Sequence, residues 1–398
     1  MRAIVCGAGI AGLAAANRLT AQGHDVVVLE RAPSPRSQGY MIDFFGPGYD
    51  AIEAMGLLPA LEEAGYRVTE AVLVDDHGRR RAGMNLRQFA EGALVSVMRP
   101  DLEQVLRSSL PADVDLRYGA GVQSVTPLDD GVRIGLADGT TLDGDLLIGA
   151  DGIHSTVRQL LFGPESSYLR QLGFHTAAYT FDAPDVHAAV NGRFVLTDTI
   201  GSQFGFYGLR DGRVAAFAVH RTAEPSLPAD PRAAIRSAYS GLGWVVPKAL
   251  ELCPAPEEIY YDQVAQVVVP AWSEGRVVLL GDSASAVSLL AGQGASLAVA
   301  GAYVLTDCLQ RAESIEAGLA EYERLWRPEV ESKQRAGRSA ARWFLPGSRL
   351  QLVGRRIALH ILRLPLVRRL APTAVAGKPI TLIQSSVREQ TDRRYSRP

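Results

Sequence analysis

The 398-residue chain has three cysteines, Cys6, Cys253 and Cys308, far apart in sequence. They are too few and too scattered for a disulfide framework or a zinc site, so no metal is expected. Cys6 falls in a short apolar run and reads as a small buried residue. Surplus charge is missing as well. The formal net charge of −2 gives no electrostatic reason to invoke nucleic acid as a partner. No uninterrupted apolar run reaches the length of a membrane span, so no integral membrane segment is expected. No basic leader with a cleavage site precedes the first strand pattern, which starts at residue 2, and the expected location is the cytoplasm. The sequence shows no internal repeats and no low-complexity segment. An apolar fraction of 47% with 21% charged residues suits a globular chain, and the length suits two domains.

What is there begins at once. Ala3 to Cys6 reads as a buried strand, followed by Gly7, Gly9 and Gly12 in G-x-G-x-x-G spacing. A helix from Leu13 to Gln22 and a second strand from Val26 to Leu29, ending in Glu30, complete a dinucleotide-binding βαβ layout. Gly7 makes the tight turn, Gly9 lets the backbone approach a pyrophosphate, and Gly12 lets helix and strand pack closely. Ile10 and Ala11 lie at the helix N-terminus, where free N–H groups face phosphate. Glu30 is spaced to accept both hydroxyls of an adenosine ribose. The Pro- and Ser-rich segment from Arg31 to Gly39 is a loop. Its Arg31 and Arg36 either reach the cofactor or stand in solvent. Gly39 and Val122 complete the expected cofactor set on this side.

From Arg67 the pattern turns to strands, with Ala71–Asp75 and Arg80–Leu86 around the hairpin signal Asp76-His77-Gly78. Residues 170–269 form a separate region. Strands are expected near 174–182, 192–197, 203–209, 213–221 and 259–269, with helices at 231–240 and 244–252. This reads as an antiparallel sheet with helices on one face. The expected division is a discontinuous nucleotide domain (1–66, 98–169 and 270–345), a substrate domain (67–97 and 170–269) and a C-terminal helical segment (346–398). Three glycine–acid elements end strands: Gly7 to Gly12, Asp151-Gly152 and Gly281-Asp282. In a doubly wound sheet ligands bind at the carboxyl ends of strands, so all three suit one extended dinucleotide. Asp282 can accept from polyol hydroxyls. Gly292-Gln293-Gly294, with Ala295 and Ser296, starts a helix whose N–H groups can face a negatively polarised ring edge.

These stretches, with Arg99 before a helix and Gly149-Ala150-Asp151-Gly152-Ile153-His154-Ser155-Thr156-Val157-Arg158, carry a resemblance. The chain resembles the FAD-dependent aromatic hydroxylases, single-component flavin monooxygenases of the para-hydroxybenzoate hydroxylase fold, among them tetracycline-inactivating oxygenases. The likeness spans residues 1 to about 345. It implies an α/β fold: a Rossmann-like FAD-binding domain, an inserted antiparallel-sheet substrate domain and C-terminal helices. It implies Glu30 on the adenosine ribose, Arg99 on the ribityl–pyrophosphate portion and Asp151 beside the pyrophosphate and the path of NADPH. Asp282 would bind the ribityl chain, and Gly292 to Ser296 would line the isoalloxazine edge. The family usually has His, Pro and Asn where this chain has Ser285, Leu289 and Ser296. Leu289 therefore changes the pocket near the reactive face.

The implied reaction uses NADPH or NADH, O₂ and FAD. One oxygen atom enters an aromatic or polyketide-like small molecule through a flavin C4a-hydroperoxide. Two alternatives stay open, a flavin oxidase or reductase without oxygen insertion and a non-redox FAD-containing cyclase or binding protein. The flavin carries the chemistry, and no catalytic side chain is singled out. Candidate substrate contacts are Phe204, Phe206, His175, His220 and Leu289; for the two phenylalanines core packing is an equal alternative. A monomer or homodimer is expected.

Residues 335–398 carry a net charge of +12, leaving −14 for the rest. At helical spacing Leu350, Val353, Ile357, Ile361 and Leu364 form one stripe, flanked by Arg356 and Arg363. A basic amphipathic helix suits an anionic membrane. Packing on the protein body is the expectation here, because Pro365 ends the helix early and Trp343 and Phe344 offer a docking point.

Overall fold

The computed structural model describes residues 1–36, 38–85, 93–361 and 383. The chain opens with β1 (Arg2–Cys6), α1 (Ile10–Ala21) and β2 (Asp25–Glu30). The two strands are apolar on both faces because helices and sheet neighbours cover both. α1 is rich in alanine and nine of its residues are buried, so it lies close against the sheet. Next come β3 (Met41–Phe45), α2 (Pro47–Ala54), α3 (Leu58–Ala64), β4 (Glu70–Val74), β5 (Arg80–Asn85), β6 (Leu94–Met98) and α4 (Arg99–Ser108). Pro100 sits in the first turn of α4, where a missing N–H costs nothing. β7 (Asp115–Tyr118), β8 (Val122–Leu128), β9 (Gly131–Leu136), β10 (Thr141–Gly144), β11 (Leu146–Gly149) and α5 (Thr156–Leu161) follow.

Among the described residues the first sheet has six strands. Its remaining members are β17 (Ser273–Glu274) and β18 (Val277–Leu279), and its order is β17-β18-β11-β1-β2-β7. β1 runs parallel between β11 and β2, with Cys6 opposite Gly149 and Leu29. β18 runs parallel to β11, with Leu279 opposite Gly149. This register brings Gly7, Ala150-Asp151 and Gly281-Asp282 to one end of the sheet, one residue or so beyond three neighbouring strand ends.

The second sheet is built mainly from β12 (Leu169–Phe181), β13 (Arg193–Thr197), β14 (Ser202–Gly208), β15 (Val214–Arg221) and β16 (Tyr260–Val267). Its order is β16-β12-β15-β14-β13-β4-β5. All its pairings are antiparallel except β13 on β4, which is parallel. One face is covered by α6 (Pro184–Val190), α7 (Pro231–Tyr239) and α8 (Val246–Glu251). The sequence pattern does not reveal α6, which spans only seven residues and holds two buried side chains. A small β3–β6 ribbon packs on the first sheet's core through Ile42, Phe44, Val95 and Val97 and on the second through Met41 and Met98, and a β8–β9–β10 meander touches β1 and β11.

α9 (Asp282–Ser285) and α10 (Gly294–Arg311) return the chain to the first sheet, where α10 packs on α1. α11 (Ile315–Phe344) is 30 residues long and capped by Ser314, whose side chain accepts from Ala317 N–H. α12 (Arg349–Ile361) differs from expectation. It meets the body through Arg355 and Arg356, both paired with Asp198, while Leu350, Val353, Ile357 and Ile361 are exposed. The stripe is turned away because an aspartate, not an apolar groove, receives the helix. The side chains of Trp343 and Phe344, and residues Leu86, Arg363, Leu364 and Pro365, lie outside what is described.

Candidate active site

The three strand ends leave a groove that runs from Glu30 to the second sheet. Its inner part, about 160 Å³, is lined by Gly7, Gly9, Glu30, Arg36, Asp151 and Gly152, among others. Arg31 and Val122 also border it. Its outer part, a cavity of about 330 Å³, adjoins at Gly9, Arg99 and Gly152 and reaches Ile10, Ala11, Asp282, Leu289, Gly292, Gly294 and Ala295.

The glycines test what fits there. Gly7 has φ +106°, and a Cβ on it would lie 2.4 Å from the Ala150 carbonyl oxygen. A Cβ on Gly12 would lie 1.9 Å from the Gly7 carbonyl oxygen. Both positions are closed by the protein's own backbone. Gly9 is different: its Cβ would project into the groove and meet nothing nearer than Glu103 Oε1 at 3.7 Å. Space is kept beside the backbone at that position, as close approach of an extended ligand requires.

The carboxylates are fixed before any ligand arrives. Glu30 Oε2 accepts from Ala8 N–H (2.9 Å) and its Oε1 from Ala32 N–H (2.8 Å). Arg99 Nη2 pairs with Glu103 Oε1 at 2.7 Å, one helical turn along α4. Burial pushes Glu103 up, against the pull of Arg99. Asp282 is exposed to the cavity, and desolvation by the surrounding protein pushes its carboxyl up while Arg99 opposes this. A cavity-facing acid with a nearby guanidinium suits a polyol that donates hydrogen bonds. Among the described residues, this donor and acceptor set fits the ribose, pyrophosphate and ribityl parts of FAD.

Several expected residues sit differently. Asp151 borders the groove, but its oxygens accept from Ser155 Oγ and Val157 N–H, so its carboxylate holds the start of α5. Ser296 Oγ donates to the Phe45 carbonyl and accepts from Gly48 N–H, tying α10 to β3 and α2. Gly39 packs on α4, where a Cβ would lie 2.8 Å from Pro100 Cδ. Gln293 is buried at the N-cap of α10.

The proposed substrate wall is corrected. Phe204 and Phe206 are fully buried on the helix-covered face of the second sheet, against Tyr239 and Trp244. His175 pairs with the Tyr261 hydroxyl (3.1 Å) and His220 with the Tyr239 hydroxyl (3.1 Å), also away from the cavity. Burial lowers His220 to about 4, so it is neutral. Strand alternation sends the neighbouring residues the other way. Phe194 and Tyr207, stacked at 4.0 Å, and Phe217 line the cavity, facing Tyr40 and Tyr260. Leu289 does reach it. The adjoining Ser288 has φ +89°, a strained value for a residue with a Cβ.

Two acids in the wall were missed. Asp43 on β3 lines the cavity, its Oδ1 accepting from Ser96 Oγ at 2.6 Å, and burial pushes its carboxyl up. The signal was an acid inside the apolar run Met41–Phe45. Asp262 on β16 meets His154 Nε2 (3.3 Å), whose Nδ1 meets Glu165 (3.0 Å). These two partners, Asp262 first, raise His154 to about 9. The imidazolium thus joins the first sheet's Asp151–Ser155 loop to the second sheet.

Residues 1–331 match the family model described as an FAD binding domain. An uncharacterised protein of Mycobacterium tuberculosis (strain ATCC 25618 / H37Rv) is 32% identical over 344 residues, 83% of this chain and 91% of that protein. A flavin-dependent monooxygenase from an unknown prokaryotic organism is 29% identical over 352 residues, 84% and 88% of the two chains. The crystal structure of tetracycline destructase Tet(55) superposes with a TM-score of 0.79 at 27% identity, covering 94% of this chain and 97% of that one. With a groove that fits FAD and a family match over most of its length, the chain belongs to the FAD-dependent, aromatic-hydroxylase-like monooxygenases.

Proposed function

We propose that this monooxygenase takes reducing equivalents from NADPH or NADH and places one oxygen atom of O₂ into a hydroxyl-bearing aromatic or polyketide-like small molecule. The observation that carries this reading is the wall of the outer cavity. Among the described residues five aromatic rings (Tyr40, Phe194, Tyr207, Phe217 and Tyr260) line it together with the half-buried Asp43, which is held by Ser96. Flat apolar walls with a few fixed polar groups select a planar, mostly apolar ligand and set its orientation.

Bound FAD supplies the redox chemistry and the activation of dioxygen. The protein's part is to bind, orient and exclude water. Glu30 would accept the adenosine ribose hydroxyls, its carboxylate already oriented by two backbone N–H groups. Gly9 leaves the backbone open to the pyrophosphate, and Arg99 offsets its charge. Asp282 would hold the ribityl chain, and the first turn of α10, from Gly294, would direct free N–H groups at the ring edge. The aromatic wall and Leu289 keep the reacting region dry, which strengthens each polar contact there. Asp43 would bind a substrate hydroxyl. The reaction would run in the cytoplasm.

The test follows NAD(P)H oxidation and O₂ uptake by flavin-loaded protein across a panel of phenolic and polycyclic compounds, with mass analysis of products. The expected result is coupled consumption and a product heavier by one oxygen. A two-electron change without oxygen gain, or turnover with unchanged NAD(P)H, would refute it.

A further inference from the structure

α12 is amphipathic in the reverse sense of an ordinary surface helix. Arg355 is buried and its Nη2 lies 2.6 Å from Asp198 Oδ1, while Arg356 holds the other oxygen of the same carboxylate. Asp198 itself is buried. The opposite face carries Leu350, Val353, Ile357 and Ile361, with exposures of 86%, 48%, 54% and 45%. At about 100° per residue these four span roughly 80° of arc, centred nearly opposite the two arginines. They make a continuous apolar strip, not scattered exposed residues.

We propose that α12 is a membrane-surface helix, whose apolar strip enters the headgroup boundary of an anionic bilayer while the Asp198 ion pairs hold its other face to the body. Charge argues for this occupant. α12 contains no acidic residue, and residues 346–398 carry eleven Arg and Lys against Glu389 and Asp392. An anionic lipid surface suits both the strip and the basic composition of the sequence that carries it. The remainder of the chain, up to residue 334, carries −14, so the C-terminal segment is the part of the sequence that such a surface attracts. A second copy answers one feature alone. Its acidic body would attract the basic segment. The other exposed large apolar residues among those described, Leu128, Leu160, Ile200, Leu227 and Leu252, are scattered along the sequence and supply no matching strip. Pairing two α12 helices would bring like charges together.

The experiment is flotation of full-length, flavin-loaded protein with vesicles of phosphatidylcholine alone and of phosphatidylcholine with phosphatidylglycerol. The protein should float with the anionic vesicles and at least about ten-fold less with the neutral ones. Val353→Asp/Ile357→Asp, which touches neither the groove nor the cavity, should cut anionic binding by about ten-fold or more, with flavin content and melting temperature unchanged. Leu350→Gln should weaken binding in the same direction. Wild-type protein that ignores anionic vesicles overturns the proposal, as does a wild-type dimer dissociated by the double substitution. Loss of fold or flavin in the double variant also overturns it, because that would show the strip to be covered by the chain itself.

Discussion

Gly9 and Gly12 stand three residues apart in one motif, yet substitution should break different things. Gly9 has φ −83° and ψ −174°, an extended conformation open to any residue, and an added Cβ meets no backbone. Gly9→Val therefore loses a little as an N-cap and regains a similar amount through a stiffer unfolded chain. Each effect is about 0.5–1 kcal/mol, so apoprotein stability should barely change. The new carbons instead fill the side of the groove that FAD must approach. Overpacking of that kind costs about 1–3 kcal/mol, and with three carbons the upper end applies, a loss of roughly a hundred-fold in FAD affinity. Gly12→Ala places a carbon 1.9 Å from the Gly7 carbonyl oxygen and should prevent α1 from seating at all. The assay prepares both apoproteins, measures thermal unfolding, and titrates FAD by quenching of flavin fluorescence. A Gly9→Val protein that unfolds like wild type but binds FAD as tightly would refute the assignment of this groove to a dinucleotide.

Asp282→Ala should weaken FAD by about ten- to a hundred-fold, the worth of one charge-assisted hydrogen bond of about 1.5–3 kcal/mol; equilibrium dialysis of the flavin reads it. Asp43→Leu should raise KM about ten-fold or more with flavin content unchanged, whereas Asp43→Asn, which can still pair with Ser96 and a hydroxyl, should stay within a few-fold. His154 gives a pH dependence. Its pKa is raised by Asp262 and Glu165 from 6.5 to about 9, so the clasp between the sheets is complete below pH 6.5 and is lost as pH rises through 9. Thermal stability should fall across that window, and His154→Gln should flatten the fall; a wild-type profile that does not decline would exclude the clasp.

The order of strands and helices was largely legible because most elements carry a strong period. β1, β2, β11 and β18 are short continuous apolar runs ending in glycine or acid, and that pattern places their ends together once a parallel sheet is assumed. The substrate side was legible only in part. On β14 and β15 both faces are apolar, since one packs on helices and the other bounds the cavity. Alternation separates Phe204 and Phe206 from Tyr207, as expected, but carries no sign saying which set faces the ligand. That choice depends on where α7 and α8 settle. The parallel pairing of β13 with β4 joins segments far apart in sequence and leaves no local signal. α12 was misjudged for a related reason: its stripe was read correctly, but the partner Asp198, one acid in the β13–β14 connection, decides which way the helix faces.

The strand order also sets a timetable for biosynthesis. β1 is made first, yet one of its neighbours, β11, comes 143 residues later, and the next strand outward, β18, is not complete until Leu279. Between those events the growing chain must leave the first sheet, lay down β4 and β5, return for β7 and β11, and leave again for β12 to β16. The first sheet waits for its last strands until the second is complete. A ribosome-bound chain therefore carries an open, apolar sheet edge, first at β1 and then at β11, until β18 is made, the kind of exposure that recruits chaperones and punishes truncation. Asp282 follows almost directly on the last strand of the first sheet, so an FAD site that uses Asp282 would be assembled only after that strand has been made.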